Sequence, residues 1–80
     1  MEEKSTTFTA THGVMTTEVG VISGDLELRT ICDDNGILSL TITYVGAEEW
    51  YTLPGKEYRL HDLRDHEVVH RMLATVLERP

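Results

Sequence analysis

Cysteine, proline and tryptophan are scarce in this chain, whose 80 residues include one cysteine, two prolines and one tryptophan. A single cysteine, Cys32, cannot form an internal disulfide, which excludes the class of small disulfide-stapled secreted domains. Its place in an apolar strand pattern predicts a small buried core residue rather than a reactive thiol. The first residues lack the basic and apolar regions of a secretion signal, so we expect a cytoplasmic protein.

Long apolar runs are also missing. None approaches the roughly 20 residues that a membrane-spanning helix needs, so no membrane association is expected. A chain this short supports one hydrophobic core, which predicts a single domain over residues 1–80. Phosphate-binding loops, dinucleotide fingerprints, nucleophile elbows and cysteine pairs are absent, and we expect neither enzyme activity nor a bound cofactor.

Positive charge is in short supply, with seven lysines and arginines against 14 acidic residues and a formal net charge of −7. The imbalance lies in residues 18–49, where seven acids face one base, Arg29, for a net charge of −6. Residues 50–80 hold five acids and five bases and are balanced. Because phosphate contacts need clustered lysine and arginine, direct binding to nucleic acid is disfavoured.

Apolar and polar residues alternate with period two between Val14 and Val45, and turn signals recur about every ten residues. The pattern predicts an antiparallel sheet over residues 14–53. Its expected strands are Val14–Ile22, Leu26–Asp33 and Ile37–Val45, with a short fourth strand at Glu49–Leu53 that ends at Pro54-Gly55. Residues 1–6 are expected to be flexible, and the threonine-rich residues 6–12 fit either a frayed tail or an edge strand.

The turns predict how these strands pair. A three-residue loop, Asp34 to Gly36, with Gly36 in the left-handed conformation, places Cys32 opposite Leu38 and Leu28 opposite Ile42. A two-residue turn within Ser23–Leu26 would set Val21 opposite Leu28. Both turns together predict one buried face, made of Val19, Val21, Leu26, Leu28, Cys32, Leu38, Leu40, Ile42 and Tyr44. The opposite face keeps Ile22, Ile31, Ile37 and Val45, which makes dimerisation a further expectation.

The carboxyl-terminal segment shows helical spacing that would cover this face. Asp62 is a favourable N-cap, and the apolar residues Val68, Val69, Met72, Leu73, Val76 and Leu77 recur with a period near 3.6. We therefore predict a helix over residues 62–78. The order β-β-β-β-α predicts a two-layer α+β fold, in which one helix covers an antiparallel meander of three to four strands.

The run HEVVH, His66 to His70, matches the spacing by which zinc metalloproteases hold their metal. A catalytic zinc needs a third protein ligand, and the conventional ligand that follows, Glu78, lies about 12 Å further along the same helix. On the predicted helix, both histidines fall at one margin of the apolar face. The spacing therefore predicts half-buried imidazoles and no metal site, with a zinc-binding protein or metallohydrolase as the alternative function.

Negative charge adjoins aromatic surface at one place, where Glu48 and Glu49 precede Trp50. Tryptophan is over-represented among residues that dominate binding energy, and segregated charge speeds association with a surface of opposite sign. We therefore expect a small acidic, non-enzymatic interaction module that docks on a basic protein, such as an inhibitor or regulator of a nucleic-acid-handling protein. The residues expected to contact this partner are Asp33, Asp34, Glu48, Glu49 and Trp50.

Overall fold

The computed structural model describes residues 1–55 and 57–78, and within them it confirms an antiparallel meander followed by one carboxyl-terminal helix. The sheet has the strand order β1-β2-β3-β4, and a further short strand, β5, also pairs with β3. Every pairing is antiparallel. The elements are β1 (Glu2–Thr16), β2 (Gly20–Cys32), β3 (Ile37–Tyr44), β4 (Tyr51–Thr52), β5 (Tyr58–Arg59), a 3₁₀ turn at Leu63–Asp65 and α1 (His66–Leu77).

The β2–β3 hairpin has the predicted register. Cys32 lies opposite Leu38 and Leu28 opposite Ile42. Gly36 ends the loop at a φ of 87°, a left-handed conformation that favours glycine. The loop is also stabilised from inside, because the Asp33 carboxylate accepts hydrogen bonds from the backbone amides of Asn35 and Ile37, each at 2.9 Å. A short loop whose backbone is so fully satisfied leaves little freedom for the strands to slip.

The first hairpin differs from the prediction. The segment Ser23–Leu26 lies inside β2, and the chain reverses instead between Thr16 and Gly20. β1 therefore begins at Glu2 and runs for 15 residues, so residues 6–12 form part of a strand and residues 2–6 are not a loose tail. The pairing of β1 with β2 shifts between Ala10 and Val14, which marks a bulge. Gly13 occupies this bulge at a φ of 87°, and a side chain there would collide with Val21.

This change of turn explains why Val19 and Val21, which were predicted to be in the core, are exposed. A turn inside β2 would have reversed the inward face, but the continuous strand puts Ile22 on the same side as Leu26 and Leu28. Ile22 is therefore buried, while Val19 and Val21 are 54% and 59% exposed. Tyr44 pairs with Leu26 as predicted but, as the last residue of β3, is 41% exposed. Among the other residues predicted to be inside, Leu40 is half-buried. Five are buried as predicted: Leu26, Leu28, Cys32, Leu38 and Ile42.

The tip of the first hairpin folds back onto β4. The Thr17 amide donates to the Thr52 carbonyl at 2.9 Å. The Glu18 carboxylate accepts from the Thr52 amide at 2.7 Å and from its hydroxyl at 2.8 Å. The curled sheet encloses one end of the core, whose buried members are Phe8, Ala10, Val14, Ile22, Leu26, Leu28 and Ile42.

The helix begins close to the predicted residue but presents a different face. Asp62, predicted as the N-cap of the helix, instead caps the 3₁₀ turn before it, because its carboxylate accepts from the Arg64 amide at 2.9 Å. The N-cap of α1 itself is Asp65. The residues of α1 that pack on the core are Leu73, Ala74 and Leu77. Val68, Met72 and Val76 are exposed instead. Relative to the predicted orientation, the helix is turned by roughly 80° about its axis, which brings its histidines over the sheet. No helix in the described parts of the chain is both long and apolar enough to cross a membrane.

Candidate functional site

The inner face of the sheet is polar near the start of β1, where α1 also begins. His66 and His70 lie one helical turn apart and are 0% and 4% exposed. They face Thr30 of β2, which is fully buried as well. The predicted position of the histidines at the helix margin is therefore wrong. The rotation of α1 places both imidazoles between helix and sheet, where each polar atom needs a partner.

Three side chains supply these partners, and together with the two histidines they form one continuous hydrogen-bonded series. Thr6 Oγ1 lies 2.7 Å from His70 Nε2. Thr30 Oγ1 lies 2.7 Å from both His70 Nδ1 and His66 Nε2. His66 Nδ1 lies 2.9 Å from a carboxylate oxygen of Glu2. We refer to Thr6, His70, Thr30, His66 and Glu2 as the histidine–threonine chain.

This arrangement gives the HEVVH run a role in holding the helix on the sheet. All four ring nitrogens of His66 and His70 have a hydrogen-bond partner, and the rings stand at 87° to each other with centroids 6.5 Å apart. Glu67 points to solvent. Within residues 1–55 and 57–78, no group of three or more metal-ligating side chains is disposed to hold an ion. Nothing in this geometry favours the zinc alternative.

The surroundings set the protonation of the histidine–threonine chain. Burial lowers the pKa of His70, and the nearby charges of His66 and Lys4 lower it further. At the other end, the hydrogen bond from His66 lowers the pKa of Glu2, with Lys4 contributing as well. A neutral His70 and an ionised Glu2 are the forms that the structure favours.

Glu2 lines a cleft of about 450 Å³ between the β2–β3 loop and the 3₁₀ turn. Lys4, Arg64 and Glu67 give its wall both signs of charge, and the Cys32 thiol lines it too. Burial raises the pKa of this thiol, which keeps it protonated and a poor nucleophile. As predicted, Cys32 is a buried core residue.

A second feature lies on the opposite, outer face of the sheet. The guanidinium of Arg29 lies 3.9 Å from the centre of the Trp50 ring, a cation–π contact. Arg29 Nε is also 3.7 Å from a carboxylate oxygen of Glu3. Trp50 thereby covers Arg29, the base that stands alone among the acids of residues 18–49. The sequence does not reveal this contact, because Trp50 follows a loop whose path is set by tertiary packing.

The backbone of the acidic loop before Trp50 is anchored to this face, while the Glu49 carboxylate accepts a hydrogen bond from the Tyr51 hydroxyl at 3.3 Å. The Thr43 hydroxyl donates to the Glu49 carbonyl, and Thr43 lies opposite Glu27. The Val45 amide donates to the Asp25 carbonyl at 3.0 Å, which extends the pairing of β2 with the chain after β3. We call Asp25, Glu27, Glu48, Glu49 and Trp50 the acidic outer face. Asp25 and Glu27 were not among the predicted site residues, although their odd positions in β2 place them beside Arg29.

The five residues predicted to bind a partner do not form one patch. Glu48, Glu49 and Trp50 belong to the acidic outer face, but Asp33 and Asp34 lie at the other end of β2, about 20 Å away along the strand. Asp33 caps its own loop through two backbone amides. Asp34 accepts a hydrogen bond from the Met1 amine at 2.6 Å, which lowers the pKa of its carboxyl.

Comparisons with protein-family models, with curated proteins and with solved structures find no match for this chain.

Proposed function

We propose that this protein is a non-enzymatic interaction module whose acidic outer face docks on a positively charged surface of a partner protein. The observation that carries the proposal is the position of Arg29 beneath the Trp50 ring. The base stands alone among the acids of residues 18–49, and it is covered by Trp50 and lies beside Glu3. Arg29 keeps its charge, but the four carboxylates of the acidic outer face outnumber it, so the field outside this face is negative.

Charge and aromatic surface contribute to binding in different ways. The carboxylates steer a basic partner and raise its association rate, and this effect weakens as salt screens it. Trp50 is half-buried, so part of its ring remains available for contact. Buried aromatic anchors slow dissociation, since they exclude water from the centre of an interface. A basic surface that binds nucleic acid phosphates suits such a face, and the module would then act as an inhibitor or regulator.

Two variants of equal charge test the proposal. Glu48→Gln with Glu49→Gln removes two charges from the acidic outer face, while Glu57→Gln with Asp65→Asn removes two charges from elsewhere. Each immobilised protein is used to capture partners from the native host, and the captured protein is then titrated directly at several salt concentrations. We expect the first variant to weaken binding about tenfold, which corresponds to 1.4 kcal/mol.

The control variant should bind within about twofold of the parent protein, because its substitutions lie off the acidic outer face. Binding of the parent should also weaken steadily with salt. Equal losses in both variants, or an affinity that does not respond to salt, would contradict the proposal.

A further inference from the structure

The histidine–threonine chain can hold its hydrogens in a first pattern that satisfies every contact with both imidazoles neutral. Glu2 accepts from His66 Nδ1–H, which leaves His66 Nε2 to accept the Thr30 hydroxyl hydrogen. The Thr30 oxygen then accepts from His70 Nδ1–H, and His70 Nε2 accepts from Thr6. Each donor is used once, because a threonine hydroxyl has one hydrogen and a neutral imidazole has one N–H.

One added proton produces a second pattern with the same contacts. The proton binds His70 Nε2, the His70 Nδ1 hydrogen passes to the Thr30 oxygen, and the hydrogen of that hydroxyl passes to His66 Nε2. His66 then carries the positive charge beside Glu2, and His70 is neutral with its hydrogen on Nε2, which donates to the Thr6 oxygen. No hydrogen bond is lost, and the outcome is a change of tautomer at His70.

A second proton cannot be accommodated without loss of a hydrogen bond. With both rings charged, the Thr30 oxygen faces two N–H donors and its own hydroxyl hydrogen finds no acceptor within the chain. The charged groups that face the two rings are Glu2 and Lys4 from β1, while β2 contributes the uncharged Thr30 and the Cys32 thiol. Only one of these, Glu2, is negative. Two buried imidazolium rings with centroids 6.5 Å apart therefore share a single carboxylate.

We propose that the histidine–threonine chain is an acid-sensitive latch between α1 and the β1–β2 hairpin, which takes up one proton with every contact intact and releases the start of α1 when a second proton enters. The lowered pKa of His70 agrees with the order of the two steps, since that ring is the one that resists charge. Release would expose the polar half of the inner face, from Glu2 to Thr6, on the side of the sheet opposite the acidic outer face.

Nitrogen-15 NMR of the imidazole rings tests the latch in the full chain, because it distinguishes the two neutral tautomers from the charged ring. At pH above 7 we expect His66 and His70 to carry their hydrogens on Nδ1. As the pH falls, His66 should become charged while His70 changes to the Nε2–H tautomer in the same step. Protonation of His70 should follow at lower pH, together with loss of the backbone amide signals at the start of α1.

The solvent-exposed His12 and His61 lie outside the histidine–threonine chain, and their ring signals serve as internal controls. The latch is wrong if His70 keeps one tautomer while His66 titrates, or if both rings become charged while the amide signals of α1 remain unchanged.

Substitution of Thr30 tests whether the changes at His66 and His70 are coupled through its hydroxyl or occur together only because the two rings are close. Thr30→Ser keeps the hydroxyl and should keep the joint change of His66 and His70. Thr30→Ala removes the oxygen that joins the two rings, so His70 should keep one tautomer while His66 becomes charged. A serine variant without coupling, or an alanine variant that keeps the joint change, would count against the latch.

Discussion

At the scale of single residues, Thr30 connects the helix to the sheet. Its hydroxyl lies 2.7 Å from a nitrogen of each buried histidine, so one oxygen serves both His66 and His70. A hydroxyl can do this because it donates one hydrogen and accepts others. Valine has the same shape but no polar atom, and it would leave two buried ring nitrogens without a partner.

We therefore expect Thr30→Val to lower the free energy of unfolding by about 3 kcal/mol, since each unsatisfied buried group costs about 1–3 kcal/mol. The matched control is Thr41→Val on the outer face, where the hydroxyl donates to the Arg29 carbonyl at 3.1 Å and its site is half-buried. That change should cost about 1 kcal/mol or less. Urea denaturation of both variants measures the difference, and equal losses would contradict the role given to Thr30.

Zinc is expected to leave the melting temperature unchanged. To bind it, His66 and His70 would have to give up their hydrogen bonds to Thr30 and Glu2 inside the protein. Thermal melts of untagged protein with and without zinc, together with elemental analysis, check this. Stoichiometric zinc in the purified protein, with a stabilisation that His70→Gln abolishes and His12→Gln retains, would instead support the metal-binding alternative.

At the scale of elements, the rotation of α1 decides which apolar residues stabilise the fold. Leu73 is half-buried and packs on the core, whereas the adjacent Met72 is 58% exposed. The apolar residues of the helix span a wider arc of its circumference than the part that contacts the sheet. The polar histidines lie at the centre of the covered surface because Thr6, Thr30 and Glu2 satisfy them there.

Substitutions at two neighbouring positions of α1 test this rotation. Leu73→Ala should destabilise the protein by about 2 kcal/mol, since it removes packed methyl groups from the core. Met72→Lys should cost less than about 0.5 kcal/mol, as is usual for an exposed position. Chemical denaturation gives both values. A larger cost for Met72→Lys would mean that the helix presents the face predicted from its apolar pattern.

At the scale of the whole molecule, the fold divides into an apolar half and a polar half. The curled hairpin and the end of α1 enclose the apolar core, and the start of α1 is held by the histidine–threonine chain. This division links overall stability to pH. Entry of the second proton into the histidine–threonine chain weakens the attachment of the helix that covers both halves.

Stability should begin to fall as the pH drops below about 6.5, before most carboxylates titrate. The folded protein lowers the pKa of His70 from its ordinary value of 6.5, so below that pH the unfolded chain binds more protons than the folded one. The pKa of Glu2 is also lowered, from 4.5, and its contribution is lost at lower pH still. Urea denaturation between pH 8 and pH 4 measures this dependence.

The exposed His12 supplies a control for this pH dependence. His12→Gln should keep the loss of stability below pH 6.5, while His70→Gln should flatten it because the ring whose pKa is lowered by burial is gone. An unchanged slope in the His70→Gln protein would assign the dependence to another group. The predicted dimerisation stays a prediction, and sedimentation at each pH would detect it.

Local patterns by themselves determined several features of this protein. The register of β2 against β3 followed from a loop that ends in Gly36, the helix followed from its period and from Asp62, and burial of Cys32 followed from strand alternation. Each of these depends on residues close together in the chain, where turn chemistry and periodicity act directly.

The tertiary structure alone decided the first hairpin, the rotation of α1 and the contact of Arg29 with Trp50. Ser23-Gly24 has the chemistry of a turn, yet 13 residues continue through it as one strand because pairing with β1 satisfies the backbone on both sides of Gly24. The histidines likewise lie inward because Glu2, Thr6 and Thr30, distant in sequence, are brought beneath them. Apolar patterning shows which residues tend to be buried, but the location of polar partners determines which polar residues can join them.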